Sequence, residues 1–171
     1  MSKSNRLYIN GKDAWLTWSA LLIEDSYDNL ELPASPKAYV ENDARSQPGK
    51  QVLVRNYQPK DRTVQLMFDI ACKSKDEYRK KFKSLIAEMT GKMFELTVMP
   101  LMTVYKVYLP ENCFLSLGLG PGMQSGKLSV RVNEPNPADR QSTLVTATIL
   151  GANSDNEALA NNDDVLTESN K

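Results

Sequence analysis

Arg62-Thr-Val-Gln-Leu-Met-Phe-Asp-Ile-Ala71, followed at once by Lys73-Ser-Lys-Asp-Glu77 and a run on to Gly91, is the stretch that decides the fold class. Val64, Leu66, Phe68 and Ile70 fall on one face of the first segment, and Thr63, Gln65, Met67 and Asp69 on the other. Alternation of this length marks a half-buried strand, because successive side chains point to opposite faces of a sheet. Ser74 and Glu77 then form a capping box, in which Ser74 accepts from the backbone at Glu77 and Glu77 reaches back. The helix they start, about 75–90, carries Tyr78, Phe82, Leu85, Ile86 and Met89 on one stripe with lysines and Arg79 opposite. Gly91 supplies the left-handed residue that ends it. A strand feeding one amphipathic helix, flanked by further strand-like runs, predicts a mainly β domain with one helix.

Outward toward the N-terminus, Leu7-Tyr-Ile-Asn-Gly11 reads as a short strand entering an Asn-Gly hairpin turn. Residues 13–18 continue the strand pattern, with Trp15 and Trp18 three apart, and residues 19–24 form a second strand around Ala20-Leu-Leu-Ile23. Residues 25–36 read as a loop punctuated by Pro33 and Pro36. A long two-stranded arm follows over about 37–54. Tyr39, Glu41, Asp43, Arg45 and Gln47 share one face of its outgoing strand, and Gln51 and Leu53 lie on the returning Gln51-Val-Leu-Val54. Pro48-Gly49 stands where a type II turn wants these residues, inside a longer connection. Neither face of the outgoing strand is apolar enough to sit on a core, so the arm is either solvated or partnered by another subunit.

Toward the C-terminus, strands are expected over 93–98, 104–109, 113–117, 126–133 and 143–150, with a turn at Gly118, Gly120, Pro121 and Gly122 and a stop at Glu134-Pro-Asn-Pro137. Residues 1–151 read as a single domain. Residues 152–171 read as a polar, flexible tail with five acids (Asp155, Glu157, Asp163, Asp164, Glu168) against Lys171, a net of about −4.

Composition removes several function classes. The 171 residues hold 21 Lys+Arg and 21 Asp+Glu, a balance that favours neither nucleic acid nor an anionic membrane. The absence of histidine excludes Ser-His-Asp and Cys-His nucleophiles and His-dependent metal sites. Cys72 and Cys113 form no CxxC pair and, with no export signal in the polar Met1-Ser-Lys-Ser-Asn-Arg6 opening, are expected as free thiols of a cytoplasmic product. No run approaches the roughly 20 apolar residues of a membrane span. No catalytic residue, cofactor site or metal site is expected, and an enzyme is not.

Three features invite a functional assignment, and each has a plainer one. Asp76 and Glu77 sit in a helix first turn, where carboxylates complement the macrodipole. Arg79, Lys80, Lys81 and Lys83 make a basic helix face, but without the interleaved aromatics of a nucleic-acid groove. The glycine-rich turn at 118–122 lacks the Lys-Ser/Thr ending and following helix of a phosphate loop.

The order of these features resembles the N-terminal domain of phage distal tail proteins, the baseplate-hub rings of long non-contractile tails. The matching features are Leu7-Tyr-Ile-Asn-Gly-Lys-Asp13, the loop Glu31-Leu-Pro33, the arm with Ser46-Gln-Pro-Gly-Lys-Gln51, the strand 64–70 and the helix 75–90. The strand 127–133 with Glu134-Pro-Asn-Pro137 completes them, so that the resemblance covers about 6–140. It implies a split β-barrel or β-sandwich with one flanking α-helix and the long β-arm. It also implies a homohexameric ring of virion structural subunits around a DNA channel, made in the host cytoplasm and assembled into the tail. The arm residues Tyr39, Glu41, Asp43, Arg45, Gln47, Gln51 and Leu53 would pair with a neighbour and line the lumen. Partners would be the tail tube and the hub or tail-tip protein, with DNA only in passage and no membrane. Many members carry a second, galectin-like domain that binds receptor-binding proteins; these residues match none. The same fold order also fits a tail-tube or tube-terminator subunit. From a different class, a monomeric carbohydrate-binding β-sandwich would stack sugars on Trp15, Trp18 and Tyr39.

Overall fold

The computed structural model describes residues 6–42, 48–49, 51–54 and 57–143. In chain order they form β1 (Leu7–Ile9), β2 (Lys12–Asp13), α1 (Ala14–Trp18), β3 (Ala20–Leu22), α2 (Glu24–Glu31), β4 (Val40–Asn42), β5 (Gln51–Leu53) and β6 (Arg62–Ala71). Then follow α3 (Lys75–Met89), β7 (Phe94–Val98), β8 (Thr103–Val107), β9 (Phe114–Leu119), β10 (Ser125–Glu134) and β11 (Gln141–Ser142). The expected strand 143–150 and the tail 152–171 lie outside the described residues, apart from Thr143.

Among the described residues every strand pair is antiparallel. A five-stranded sheet has the order β11-β8-β7-β1-β2, a four-stranded sheet the order β3-β6-β10-β9, and β4 with β5 makes a separate hairpin. The fold is mainly β, a sandwich of two sheets with α3 packed against them, as the strand-and-helix pattern predicts. β6 and β10 pair along their whole length, from Arg62 opposite Glu134 to Ala71 opposite Ser125. The alternation in β6 is realised: Val64, Leu66, Phe68 and Ile70 are all buried, facing Leu128, Val130 and Val132 along the ladder. Ile9, Phe94, Leu96, Val98, Tyr105 and Val107 close the core from the other sheet. On its other edge β10 pairs with β9 between Gly126 and Val130, and further along Asn133 exchanges two backbone bonds with Tyr108, just past β8. A single bridge therefore ties the end of β10 to the chain leaving the other layer.

α3 starts as its sequence dictates. Ser74 Oγ accepts from Glu77 N at 3.2 Å, and Glu77 Oε2 accepts from Lys73 N at 3.1 Å. Tyr78, Leu85 and Met89 are buried, and Gly91 takes φ +75° just after the helix. The Asn-Gly turn is equally faithful: φ is +50° at Asn10 and +75° at Gly11, the pair of left-handed residues a type I′ hairpin needs. Asn10 does more than turn the chain. Its Nδ2 donates to Glu88 Oε1 at 2.6 Å and its Oδ1 accepts from Glu95 N at 3.0 Å, joining the hairpin to α3 and β7.

Glu88 also receives Lys12 at 2.7 Å and Lys92 at 3.1 Å, and these bonds from Lys12, Asn10 and Lys92 hold its carboxyl down to about 2. The folded value lies below that of the unfolded chain, about 4.3 for glutamate. The cluster's stabilisation is thus present above that pH and lost as pH falls toward 2. Glu88→Gln is expected to cost about 1–2 kcal/mol at pH 7, allowing for screening at the half-exposed lysines, and almost nothing at pH 2. Urea titrations of both proteins across that range check it; a pH-independent difference would refute it.

Two segments depart from the sequence expectation. Residues 14–18, expected to continue a strand, are the short helix α1: Asp13 caps it by accepting from Leu16 N at 2.9 Å, and Ser19 closes it with φ +54°. Within it, Trp18 is buried and donates from Nε1 to Ser84 Oγ at 3.1 Å, which pins α1 onto α3. Residues 24–31, expected as strand end and loop, are the helix α2. Its N-cap Ile23 makes no side-chain capping bond, and its last turn holds no basic residue. The missing C-terminal partner comes from β6: Arg62 donates from Nη2 to Leu30 O at 2.8 Å and from Nη1 to Asn29 O at 3.3 Å and to Leu32 O. Ser26, fully buried, exchanges bonds with the Met67 backbone and seals α2 to the sheet.

Candidate functional site

The arm grows from the body at residues 35–37 and 58–60, where Lys37 N donates to Gln58 O and Lys60 N to Ser35 O. Tyr57 steadies this base with a hydroxyl bond to Ala34 O at 3.0 Å. Beyond it, β4 and β5 pair with Val40 opposite Leu53, Glu41 opposite Val52 and Asn42 opposite Gln51. Gly49 has φ +85°, the left-handed value of the third residue of a type II turn.

Directly opposed residues share a face. Leu53 therefore lies on the face of Val40, and Glu41 lies on the other face with Val52. The expected site residues are thus split between the two faces of the hairpin. Tyr39, half-buried, precedes β4; Asp43, Arg45 and Gln47 lie outside the described residues. What sequence reasoning undervalued is how apolar the returning strand is. Val40 is 72% exposed, Leu53 53%, Val54 67% and Val52 43%. The run Val52-Leu-Val54 carried that signal.

The other candidates resolve into structure. Trp18 is enclosed by the core, so a sugar platform of Trp15, Trp18 and Tyr39 is not formed. Lys81 leaves the expected basic face: half-buried, it pairs with Glu77 at 2.9 Å and donates to Ser19 Oγ at 2.8 Å. Arg79, Lys80 and Lys83 remain exposed. The glycine-rich segment is a strand and a hairpin link, because β9 runs on through Gly118 to Leu119, and only then does a short 3₁₀ turn over Pro121–Met123 lead into β10. Cys72 and Cys113 are both free, and burial pushes the Cys72 thiol up despite the nearby Lys81. Among the described residues no helix is long and apolar enough to cross a membrane.

A second surface was not anticipated. β9 is an edge strand whose six residues are all exposed. Leu117 stands opposite Leu128 and Leu119 opposite Gly126, so both point to the core side of the sheet. α3 does not cover them. Phe82 and Ile86 of α3, with Phe114, Leu115, Leu117 and Leu128, line an open apolar groove of about 350 Å³.

No protein-family model matches the chain, and no curated protein matches it in sequence.

Proposed function

We propose that this chain is a structural subunit of a phage or prophage tail tip, six copies of which close a ring around the DNA channel and join the tail tube to the distal hub. The observation that carries this reading is the arm. A hairpin rooted on the body exposes Val40, Val52, Leu53 and Val54 with no core beneath them, a pattern that belongs to a surface another chain covers. Head-to-tail contacts closing into a ring would cover the arm and also remove free strand edges. The mainly β sandwich with a helix on its flank is the architecture the resemblance implies. Glu41, opposite Val52 on one face of the hairpin, suits a lumen through which DNA slides, since each cationic phosphate contact would add drag.

Light scattering at several concentrations, followed by negative-stain imaging, tests the reading. The expected result is a species of six chains seen as discrete rings; long open-ended stacks would instead mark a tube subunit. Deleting residues 42–50 is expected to abolish ring closure while leaving the far-ultraviolet circular dichroism unchanged. A deletion variant that still forms rings would overturn the role given to the arm.

A further inference from the structure

We propose that the free edge of β9 and the apolar groove beside it receive residues 144–150 of a second copy of this chain as an added strand, an inference that rests on the ring reading above. The groove is a piece of core without its lid. Leu117 and Leu119 occupy core-side positions of the four-stranded sheet, yet they are 45% and 50% exposed. Beyond β9 no further strand pairs among the described residues, so its outer backbone groups offer a ladder to an incoming strand. An added strand would supply backbone partners and lay alternate side chains across the groove.

Leu144-Val-Thr-Ala-Thr-Ile-Leu150 has the composition for this. Between Leu144 and Leu150 its residues are β-branched or small; Val145, Ala147 and Ile149 alternate onto one face, and Leu144, Thr146, Thr148 and Leu150 onto the other. The face of Val145, Ala147 and Ile149 suits the groove, the opposite face has threonines at its centre, and the length matches β9.

The occupant belongs to another copy because of where the chain leaves the sheet. β11 runs beside β8 with Gln141 opposite Val104 and Ser142 opposite Thr103, and Thr143 N donates to Met102 O at 3.0 Å. This is the end of β8 remote from Tyr108, where β10 joins it. Returning to β9 means retracing β8 from Met102 to Tyr108 and then β10 from Asn133 to Val130, which stands opposite Phe114. At about 3.3 Å per residue that path is about 30 Å, whereas residues 144–150 fully extended span about 23 Å. A segment that followed the strands back would be spent before it could pair with β9. A neighbouring copy needs no journey, and a strand leaving one sheet to enter the other sheet of the next copy is a head-to-tail contact, the kind that closes rings.

Cysteine pairing in the full-length chain tests this. Leu117→Cys in one copy is mixed with Val145→Cys, Ala147→Cys or Ile149→Cys in another, all with Cys72→Ser and Cys113→Ala. Mild oxidation is expected to join two different chains at one or more of the three positions, because a disulfide needs Cα atoms about 4.4–6.8 Å apart. In addition, Leu117→Asp, tolerable at a half-exposed position, is expected to weaken association about 30-fold or more while the circular dichroism stays unchanged. Rings that form without any crosslink, or that ignore Leu117→Asp, would overturn the strand exchange and leave the ring reading standing. A disulfide formed within one chain carrying both cysteines, at high dilution, would overturn the exchange between copies. A protein that stays monomeric at every concentration and never crosslinks would overturn both.

Discussion

Glu134→Ala is expected to lower the free energy of unfolding by about 3–5 kcal/mol, read from the midpoint of urea denaturation. Glu134 is 1% exposed at the end of β10. Its Oε2 accepts from Arg62 Nε at 2.5 Å and Arg140 Nη2 at 2.9 Å, and its Oε1 accepts from Arg140 Nε at 2.8 Å. Both guanidinium groups also lie by the Tyr105 ring, at 6.0 and 5.1 Å from its centroid. Removing the carboxylate leaves two cations in a largely buried site with no counter-charge, which is costlier than the net worth of the intact cluster. Burial pushes the Glu134 carboxyl up, but the bonds from Arg140 and Arg62 outweigh it and hold the group below the usual range. Its folded value thus lies under the unfolded one, and the stabilisation is complete above about pH 4.3 and fades on acidification. The gap between the wild type and Glu134→Ala should be widest near neutrality and close in acid. A loss under about 1 kcal/mol at pH 7 would mean that water reaches the arginines and the cluster is not sealed.

The second large effect is steric. Gly126→Ala would place its Cβ over the Tyr78 hydroxyl, 3.1 Å from Tyr78 Cζ and 3.4 Å from Gly118 O. Tyr78 is buried between α3 and the sheet and stacks on Phe82 with ring centroids 5.7 Å apart, so it has little room to retreat. Overpacking of this kind costs about 2–3 kcal/mol, a fall of about 4–12 °C in Tm for a domain of this size. The Tyr78 hydroxyl is buried with no hydrogen-bond partner among the described residues. Tyr78→Phe alone is therefore expected to be neutral or stabilising by up to about 1 kcal/mol. Combined with Gly126→Ala it should recover most of the loss, because the group that collides is gone. Simple addition of the two single effects in the double variant would show that the collision is with the backbone instead.

What could be read from the sequence was what local pattern controls. β6 and α3 each carry their own periodicity, a cap or a turn residue, and the pattern selects the side chains that turn inward, although Phe82 and Ile86 of α3 stay partly open on the groove. Asn10-Gly11 fixes its hairpin because few other pairs tolerate two successive left-handed residues. α2 was illegible for the opposite reason. Glu24-Asp-Ser-Tyr-Asp-Asn-Leu-Glu31 buries Ser26 and Leu30, and its C-terminal carbonyls are satisfied by Arg62, some thirty residues further along the chain. A helix completed from outside leaves little trace in its own sequence. α1 did leave one: Asp13 ahead of Ala14-Trp-Leu-Thr-Trp18 is a helix-capping arrangement, outvoted by the strand pattern around it. The arm was legible as an arm, but its faces were not, because cross-strand register decides them. The β9 groove was hidden for the same reason, since only the pairing of Leu117 with Leu128 shows which side of the sheet it serves.

The bridge between the end of β10 and Tyr108, just past β8, has a thermodynamic consequence. Sheets stitched only by loops can melt one at a time, leaving half a domain intact. Here the four-stranded sheet cannot come apart without pulling Asn133 from Tyr108, and the five-stranded sheet cannot let go of Tyr108 without uncovering the end of β10. Both layers share this bridge and one hydrophobic core, so they share one fate: heat, denaturant or mechanical load applied to either should be met by a single all-or-none transition.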